Sequence, residues 1–83
     1  MYIEFPLPVD HHIRQMMIPR LHDEIRRWAH THNINYSNAT ILADRATNTE
    51  RLYLRSDRAT ELFCISWNPG NPDFRKYRLR KDV

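Results

Sequence analysis

The sequence predicts an α+β domain in which one helix packs on an antiparallel sheet of four to five strands, in the order β-α-β-β-β-β. In the first half of the chain, apolar residues recur every three or four positions, as they do along an amphipathic helix. In the second half, short strand-like segments alternate with short polar turns, and such turns join antiparallel strands. A length of 83 residues predicts a single domain covering residues 1–83.

The first strand is predicted in the segment MYIEF, because apolar and polar residues alternate there. Tyr2 and Glu4 are expected on one face of this strand, and Ile3 and Phe5 on the other. The prolines of the following segment, PLP, donate no hydrogen bond to a neighbouring strand and are expected to end it.

The one clear helix is predicted over roughly residues 10–32, with Asp10 as its N-cap. Pro19 lies inside the apolar pattern, so it either kinks one helix or opens a second helix after a short first one. The pattern continues through Pro19 in phase, which favours a kinked or broken helix with one continuous buried face. Asn33 is expected to cap the C-terminal end. The predicted buried positions are Ile13, Met17, Leu21, Ile25 and Trp28, flanked by Met16 and Ala29.

Four further strands are predicted in the segments ATILAD, RLYLRS, ELFCISW and FRKYRLR, separated by the turns RATNT, DRAT and NPGNPD. ELFCISW is apolar on both faces, which favours a central strand. In FRKYRLR, Tyr77 and Leu79 alternate with cationic residues, which favours a half-exposed or edge strand. An open edge of this kind would allow a homodimer by strand pairing between two chains.

The composition argues against most kinds of enzyme. Gly70 is the only glycine, whereas phosphate-binding loops need several. Cys64 lies in the apolar segment LFCISW, which favours a small buried residue over a nucleophile. The five histidines lack the spacing and the companion ligands of a zinc site. We therefore expect no catalytic activity, no cofactor and no metal.

The N-terminal segment and the cysteine count predict a cytoplasmic protein. MYIEFPLPVD lacks the basic start and the long apolar stretch of a signal peptide. No apolar run approaches the roughly 20 residues of a membrane span. A single cysteine excludes an internal disulfide. A membrane is therefore not expected as a partner.

Positive charge is concentrated in the last ten residues, FRKYRLRKDV, which carry a net charge of +4. The whole chain has a net charge of +3, so residues 1–73 together carry −1. The cationic residues of this segment are Arg75, Lys76, Arg78, Arg80 and Lys81. Trp and Arg are enriched at the centres of protein interfaces. We therefore predict a partner-binding site made of these five residues together with Trp67 and Tyr53, both expected to be exposed.

The first functional hypothesis is a small non-enzymatic protein that docks on a macromolecular partner, either a protein or a protein–nucleic-acid complex. Phage and mobile-element inhibitors of host machinery, such as anti-CRISPR and anti-restriction factors, have a similar size and build. A basic edge would suit an acidic partner surface that resembles nucleic acid.

The alternative hypothesis is direct binding of RNA or DNA through the basic C-terminal strand. Aromatic side chains would stack on bases while neighbouring cations hold phosphates. Phe74 shares a strand face with Lys76 and Arg78, whereas Tyr77 points to the other face. A third interpretation gives this segment no binding function: it is a solvent-exposed strand with Tyr77 in the core.

The third hypothesis is a small toxin-like ribonuclease. The segment YRLR resembles a strand of the small bacterial toxin ribonucleases of the RelE/ParE type. This resemblance covers four residues, lacks the strand that should follow, and assigns no role to any residue of this chain. Independently of the resemblance, a small nuclease or toxin would need an essential histidine, with His30 and His32 as the residues to replace.

Overall fold

The computed structural model describes residues 1–81, apart from the side chain of Tyr36. Asp82 and Val83, which end the predicted basic segment, lie outside the described residues. The elements in chain order are β1 (Tyr2–Pro6), α1 (His11–Thr31), β2 (Ala39–Asp44), β3 (Thr49–Leu54), α2 (Asp57–Ser66) and β4 (Arg78–Arg80), with short 3-10 turns at Tyr36–Asn38 and Pro72–Arg75. The fold is therefore α+β, as predicted, but its order is β-α-β-β-α-β and it contains two helices.

The four strands form one antiparallel sheet in the order β2-β3-β1-β4. The N-terminal strand β1 lies inside the sheet, where Ile3 is opposite Leu52 of β3 on one side and opposite Leu79 of β4 on the other. Each helix connects two strands that are not neighbours, which is the split β-α-β arrangement. The outer strands of the sheet are β2 and β4.

Helix α1 begins at the predicted N-cap, where the Asp10 carboxylate accepts hydrogen bonds from the amides of His12 and Ile13. It runs through Pro19 without interruption, so the chain does not begin a second helix there. Asn33, just beyond the helix, has the left-handed φ of 56° expected of a residue that reverses the chain. The predicted stripe is largely confirmed by the buried residues Met17, Leu21, Ile25, Trp28 and Ala29, whereas Ile13 and Met16 are exposed.

The segment ELFCISW, predicted to be a central strand, belongs to helix α2. Ser56 is its N-cap, and the Ser56 hydroxyl accepts a hydrogen bond from the amide of Ala59. Thr60 and Phe63 are fully buried at helical spacing, while Ile65 is 83% exposed. A short apolar run fits a strand and a helix equally well, and here the cap in the preceding segment decides. The predicted turn DRAT is the first turn of this helix.

Both helices pack on the same face of the sheet. The ring of Phe63 from α2 lies 4.9 Å from the ring of Trp28 on α1 and 6.0 Å from the ring of Phe5 on β1. Trp28 also donates a hydrogen bond from its indole nitrogen to the Ser66 hydroxyl of α2, at 2.8 Å. These contacts join the helices to each other and to the sheet. Neither helix of the described chain has both the length and the apolar composition that crossing a membrane requires.

The last predicted strand, FRKYRLR, is shorter than expected. Phe74 is buried in the 3-10 turn that precedes β4, and only Arg78–Arg80 pair with β1. Tyr77 lies on the core side, where its hydroxyl donates to the carbonyl of Cys64 at 3.2 Å and where burial raises its pKa. The prediction that Tyr77 packs in the core is therefore confirmed.

Candidate functional site

The sheet face opposite the helices is formed by alternate residues of all four strands, because side chains alternate along a strand. Within residues 1–81, no helix packs on it. Glu4 lies at its centre, opposite Arg51 of β3 on one side and opposite Arg78 of β4 on the other. We call this surface the open face, and its central residues are Tyr2, Glu4, Arg51, Tyr53, Arg78 and Arg80.

Two tyrosines and an arginine form a cluster on the open face. The ring centroids of Tyr2 and Tyr53 lie 5.1 Å apart, with the ring planes inclined by 32°. The guanidinium carbon of Arg51 lies 5.0 Å from the Tyr2 ring centroid, within the range of a cation–π interaction. All three side chains are half-buried. Their mutual contacts therefore hold two flat rings and a flat cation in place at the surface.

Arg51 also pairs with the carboxylate of Asp44 on the neighbouring strand β2. The side-chain hydrogen bond with Tyr53 and the charge of Asp44 raise the pKa of the Arg51 guanidinium above its usual value. Arg51 thus stays charged at every physiological pH and connects the strands β2, β3 and β1 across the open face.

The β4 side of the open face carries two further guanidinium groups. Arg80 pairs with Glu4, with 3.4 Å between Nη2 and Oε1, and Glu4 is only 8% exposed. Arg78 is exposed and forms no ion pair with any residue in the described part of the chain. The face therefore holds three guanidinium groups and two carboxylates, and Arg78 is the cation most available to an external anion.

The seven predicted partner-binding residues are only partly brought together. Tyr53, which was expected to be exposed, is half-buried on the open face, and Arg78 and Arg80 lie on the same face. Lys81 is exposed directly after β4, while Arg75 and Lys76 are exposed in and after the preceding 3-10 turn.

Trp67, which was expected to be exposed, is half-buried at the end of α2. Its ring stacks on Phe63 at a centroid distance of 4.6 Å. Its indole nitrogen donates a hydrogen bond to the carbonyl of Phe74 at 2.8 Å. These contacts attach the loop after α2 to the core, and they use the polar atom that a partner would otherwise bind.

Sequence reasoning missed Tyr2, Glu4 and Arg51 as members of the site. The alternation in MYIEF already placed Tyr2 and Glu4 on one strand face. The missing fact was the strand order, which puts β1 between β3 and β4. That order brings the tyrosines of β1 and β3 to the same surface as the arginines of β4.

A separate cavity of about 400 Å³ lies where the start of α1 meets the turn between β2 and β3. It is lined in part by Arg14 and Asn48, and the Arg14 guanidinium donates to the Asn48 side chain and to the carbonyls of Pro8 and Val9. Arg14 therefore holds the loop before α1 against the β2–β3 turn. Nowhere in residues 1–81 do three His, Cys, Asp or Glu side chains come together as a metal-binding group.

No protein-family model, no curated protein and no solved structure matches this chain. The function is therefore inferred from the chemistry of the open face, which carries two tyrosine rings and nearby cations and, within residues 1–81, has no helix packed on it.

Proposed function

We propose that the chain binds single-stranded nucleic acid on the open face. The observation that supports this most is the contact between Tyr2 and Tyr53, with the Arg51 guanidinium against the Tyr2 ring, on a sheet face that no helix of the described residues covers. Some RNA-binding domains are four-stranded sheets that stack bases on aromatic side chains of the open sheet face. Each base stacked on an aromatic ring contributes about 1–3 kcal/mol.

The cations of β4 lie one strand away from this stacking surface. Adjacent strands are about 4.8 Å apart, so a nucleotide stacked on Tyr2 brings its phosphate within reach of a long side chain on β4. Arg78 and Arg80 point to the same face, and Lys81 follows them. In this arrangement the bases lie over β1 and β3 while the sugar–phosphate backbone follows β4.

Single strands suit this surface better than duplexes. A base can stack on an aromatic side chain only where it is not already stacked between neighbouring bases, as in a single strand. The net charge of +3 on the whole chain fits contact with a few phosphates, which is what a short single strand offers. The cytoplasmic location expected from the sequence is part of this proposal.

The docking hypothesis uses the same cations for a different partner. An acidic protein surface that resembles nucleic acid would pair with Arg78 and Arg80, as expected of an inhibitor of the anti-CRISPR or anti-restriction type. Such a partner would not require the tyrosine rings, because carboxylates bind guanidinium groups and not aromatic faces. Dependence on Tyr2 and Tyr53 therefore separates the two functions.

The ribonuclease hypothesis has no support from the open face. The histidines of the chain lie on α1 or at its C-terminal end, and none of them belongs to the strands. Replacement of His30 and His32 in a growth assay tests this hypothesis independently of binding.

The decisive experiment is a fluorescence anisotropy titration with a labelled single-stranded oligonucleotide, a duplex of the same sequence and polyglutamate. We expect the single strand to bind most tightly, and its affinity to fall as salt rises from about 50 to about 200 mM. Absence of single-strand binding at about 50 mM salt would contradict the proposal. Tighter binding of polyglutamate than of the single strand, with no effect of replacing Tyr2, would favour docking on an acidic protein.

A further inference from the structure

The two edges of the sheet are built differently. At one edge, β4 is only three residues long and contains Arg78 and Arg80, and short, charged edges discourage pairing with another chain. At the other edge, β2 is six residues long and contains no lysine, arginine, proline or glycine. Leu42 on this strand is 52% exposed. Because β2 lacks the short length and the cationic side chains that protect an edge strand, its outward-facing backbone N–H and C=O groups can pair with another strand.

The sequence of β2 is suited to pairing with itself. In an antiparallel pair, directly opposite residues lie on the same face of the sheet, so the two-fold axis must pass midway between one residue and its own copy. An axis between the two copies of Ile41 places Ala39 opposite Ala43 and Thr40 opposite Leu42. Every residue in this pairing is uncharged. An axis between the two copies of Leu42 would instead bring in Asp44, which already pairs with Arg51.

We infer that two copies of the chain associate through their β2 strands, antiparallel and with the two-fold axis at Ile41. The two sheets then join into one sheet of eight strands. Ile41, which is half-buried and packs against the core, meets its own copy and extends the apolar core across the interface. The exposed Leu42 packs against the partner's Thr40.

This dimer would place two open faces side by side. The two β3 strands would be separated by three strand spacings, about 14 Å. The association does not depend on nucleic-acid binding, because no residue of the Tyr2–Tyr53–Arg51 cluster lies on β2. The two proposals can therefore fail separately.

The test is sedimentation velocity on the wild-type chain over a wide concentration range, without nucleic acid. The double variant Thr40→Lys/Leu42→Lys places a lysine directly opposite another lysine at two points of the dimer interface. Both positions are exposed in the single chain, so the variant should keep its fold. We expect the wild type to reach twice the protomer mass and the double variant to dissociate at least about tenfold more readily. The matched control is Ile65→Lys, a lysine at an exposed apolar position on α2, which should dimerise as the wild type does.

Three outcomes would overturn the inference: a wild type that remains monomeric, a double variant that dimerises like the wild type, or a control that loses the dimer. Hydrogen exchange on the wild type gives a measurement that needs no variant. Amides of Ala39–Ala43 that face away from β3 should become protected as concentration rises. Protection that rises only in other elements would show that the interface lies elsewhere.

Discussion

Tyr2 and Tyr53 come from the first and third strands, and their ring centroids lie 5.1 Å apart on the sheet face opposite the two helices. Arg51 lies against the Tyr2 ring and pairs with Asp44 on β2, so the position of the guanidinium beside the two rings is fixed. Aromatic rings in such a position at a surface are costly to leave in water, and they are well suited to stack on another flat ring. The functional proposal rests on this cluster.

Replacing Tyr2 or Tyr53 by leucine should weaken single-strand binding without unfolding the protein. Loss of one stacked base costs about 1–3 kcal/mol, which corresponds to about a fivefold to 150-fold increase in the dissociation constant. Anisotropy titration of each variant measures this change. Tyr2→Phe keeps the ring and should keep the affinity, and Ile65→Ala on α2 should have no effect. Equal affinity of Tyr2→Leu and wild type would show that the ring does not contact a base.

Replacing Arg78 by glutamine should reduce the salt dependence of binding. Arg78 is exposed and has no ion pair within residues 1–81, so a phosphate is its natural partner. Loss of one phosphate contact lowers the slope of log affinity against log salt by about 0.7 for a single strand. A matched control is Arg58→Gln on α2, which removes the same charge away from the open face. An unchanged slope in Arg78→Gln would place the phosphates away from β4.

Replacing Glu4 by glutamine should strengthen binding. Glu4 is the acid at the centre of the open face, between Arg51 and Arg78, and it pairs with Arg80. Removal of its charge frees Arg80 for a phosphate and should increase the affinity several-fold at low salt, with a steeper salt slope. Glu61→Gln on α2 makes the same change in net charge elsewhere and should have a smaller effect. Weaker binding of Glu4→Gln would mean that the carboxylate itself contacts the ligand.

Replacing Ser56 by alanine should destabilise the fold through helix α2. The Ser56 hydroxyl accepts the hydrogen bond from the Ala59 amide at the start of this helix. Loss of such a cap costs about 1 kcal/mol of the free energy of unfolding, measured by urea denaturation, and Ser56→Asp should retain most of it. Ser37→Ala provides a control at an exposed serine of the 3-10 turn Tyr36–Asn38, which is not a cap of α1 or α2. No difference between Ser56→Ala and this control would argue against the cap.

The elements that carry two independent local signals could be predicted from the sequence. Helix α1 has both an N-cap at Asp10 and an apolar stripe, and the predicted segment ATILAD coincides with β2. Helix α2 has only ten residues, and in its apolar part Phe63 and Ile65 fit the alternation of a strand. Its N-cap Ser56 is the available signal, but Ser56 was assigned to the end of the predicted strand RLYLRS, and the residues after it to a turn.

The sequence could predict individual residues of the site from the strand that contains them, but it could not predict which strands lie side by side. Tyr53, Arg78 and Arg80 stand out in the sequence as aromatic or cationic residues of strands. Their assembly with Tyr2 depends on the strand order, and that order follows from α2. Because a helix separates β3 from β4, β4 can reach the far side of β1 instead of pairing with β3. Because α2 was predicted to be a strand, the strand order β2-β3-β1-β4 could not be predicted.

The most direct test of the account is an NMR titration of the labelled chain with a short single-stranded oligonucleotide. We expect chemical shifts to change along β1, β3 and β4, with the largest changes at Tyr2, Arg51, Tyr53 and Arg78, while the exposed positions of α1 and α2 change little. Shift changes confined to the helices, or no shift changes even at high oligonucleotide concentration, would contradict binding on the open face.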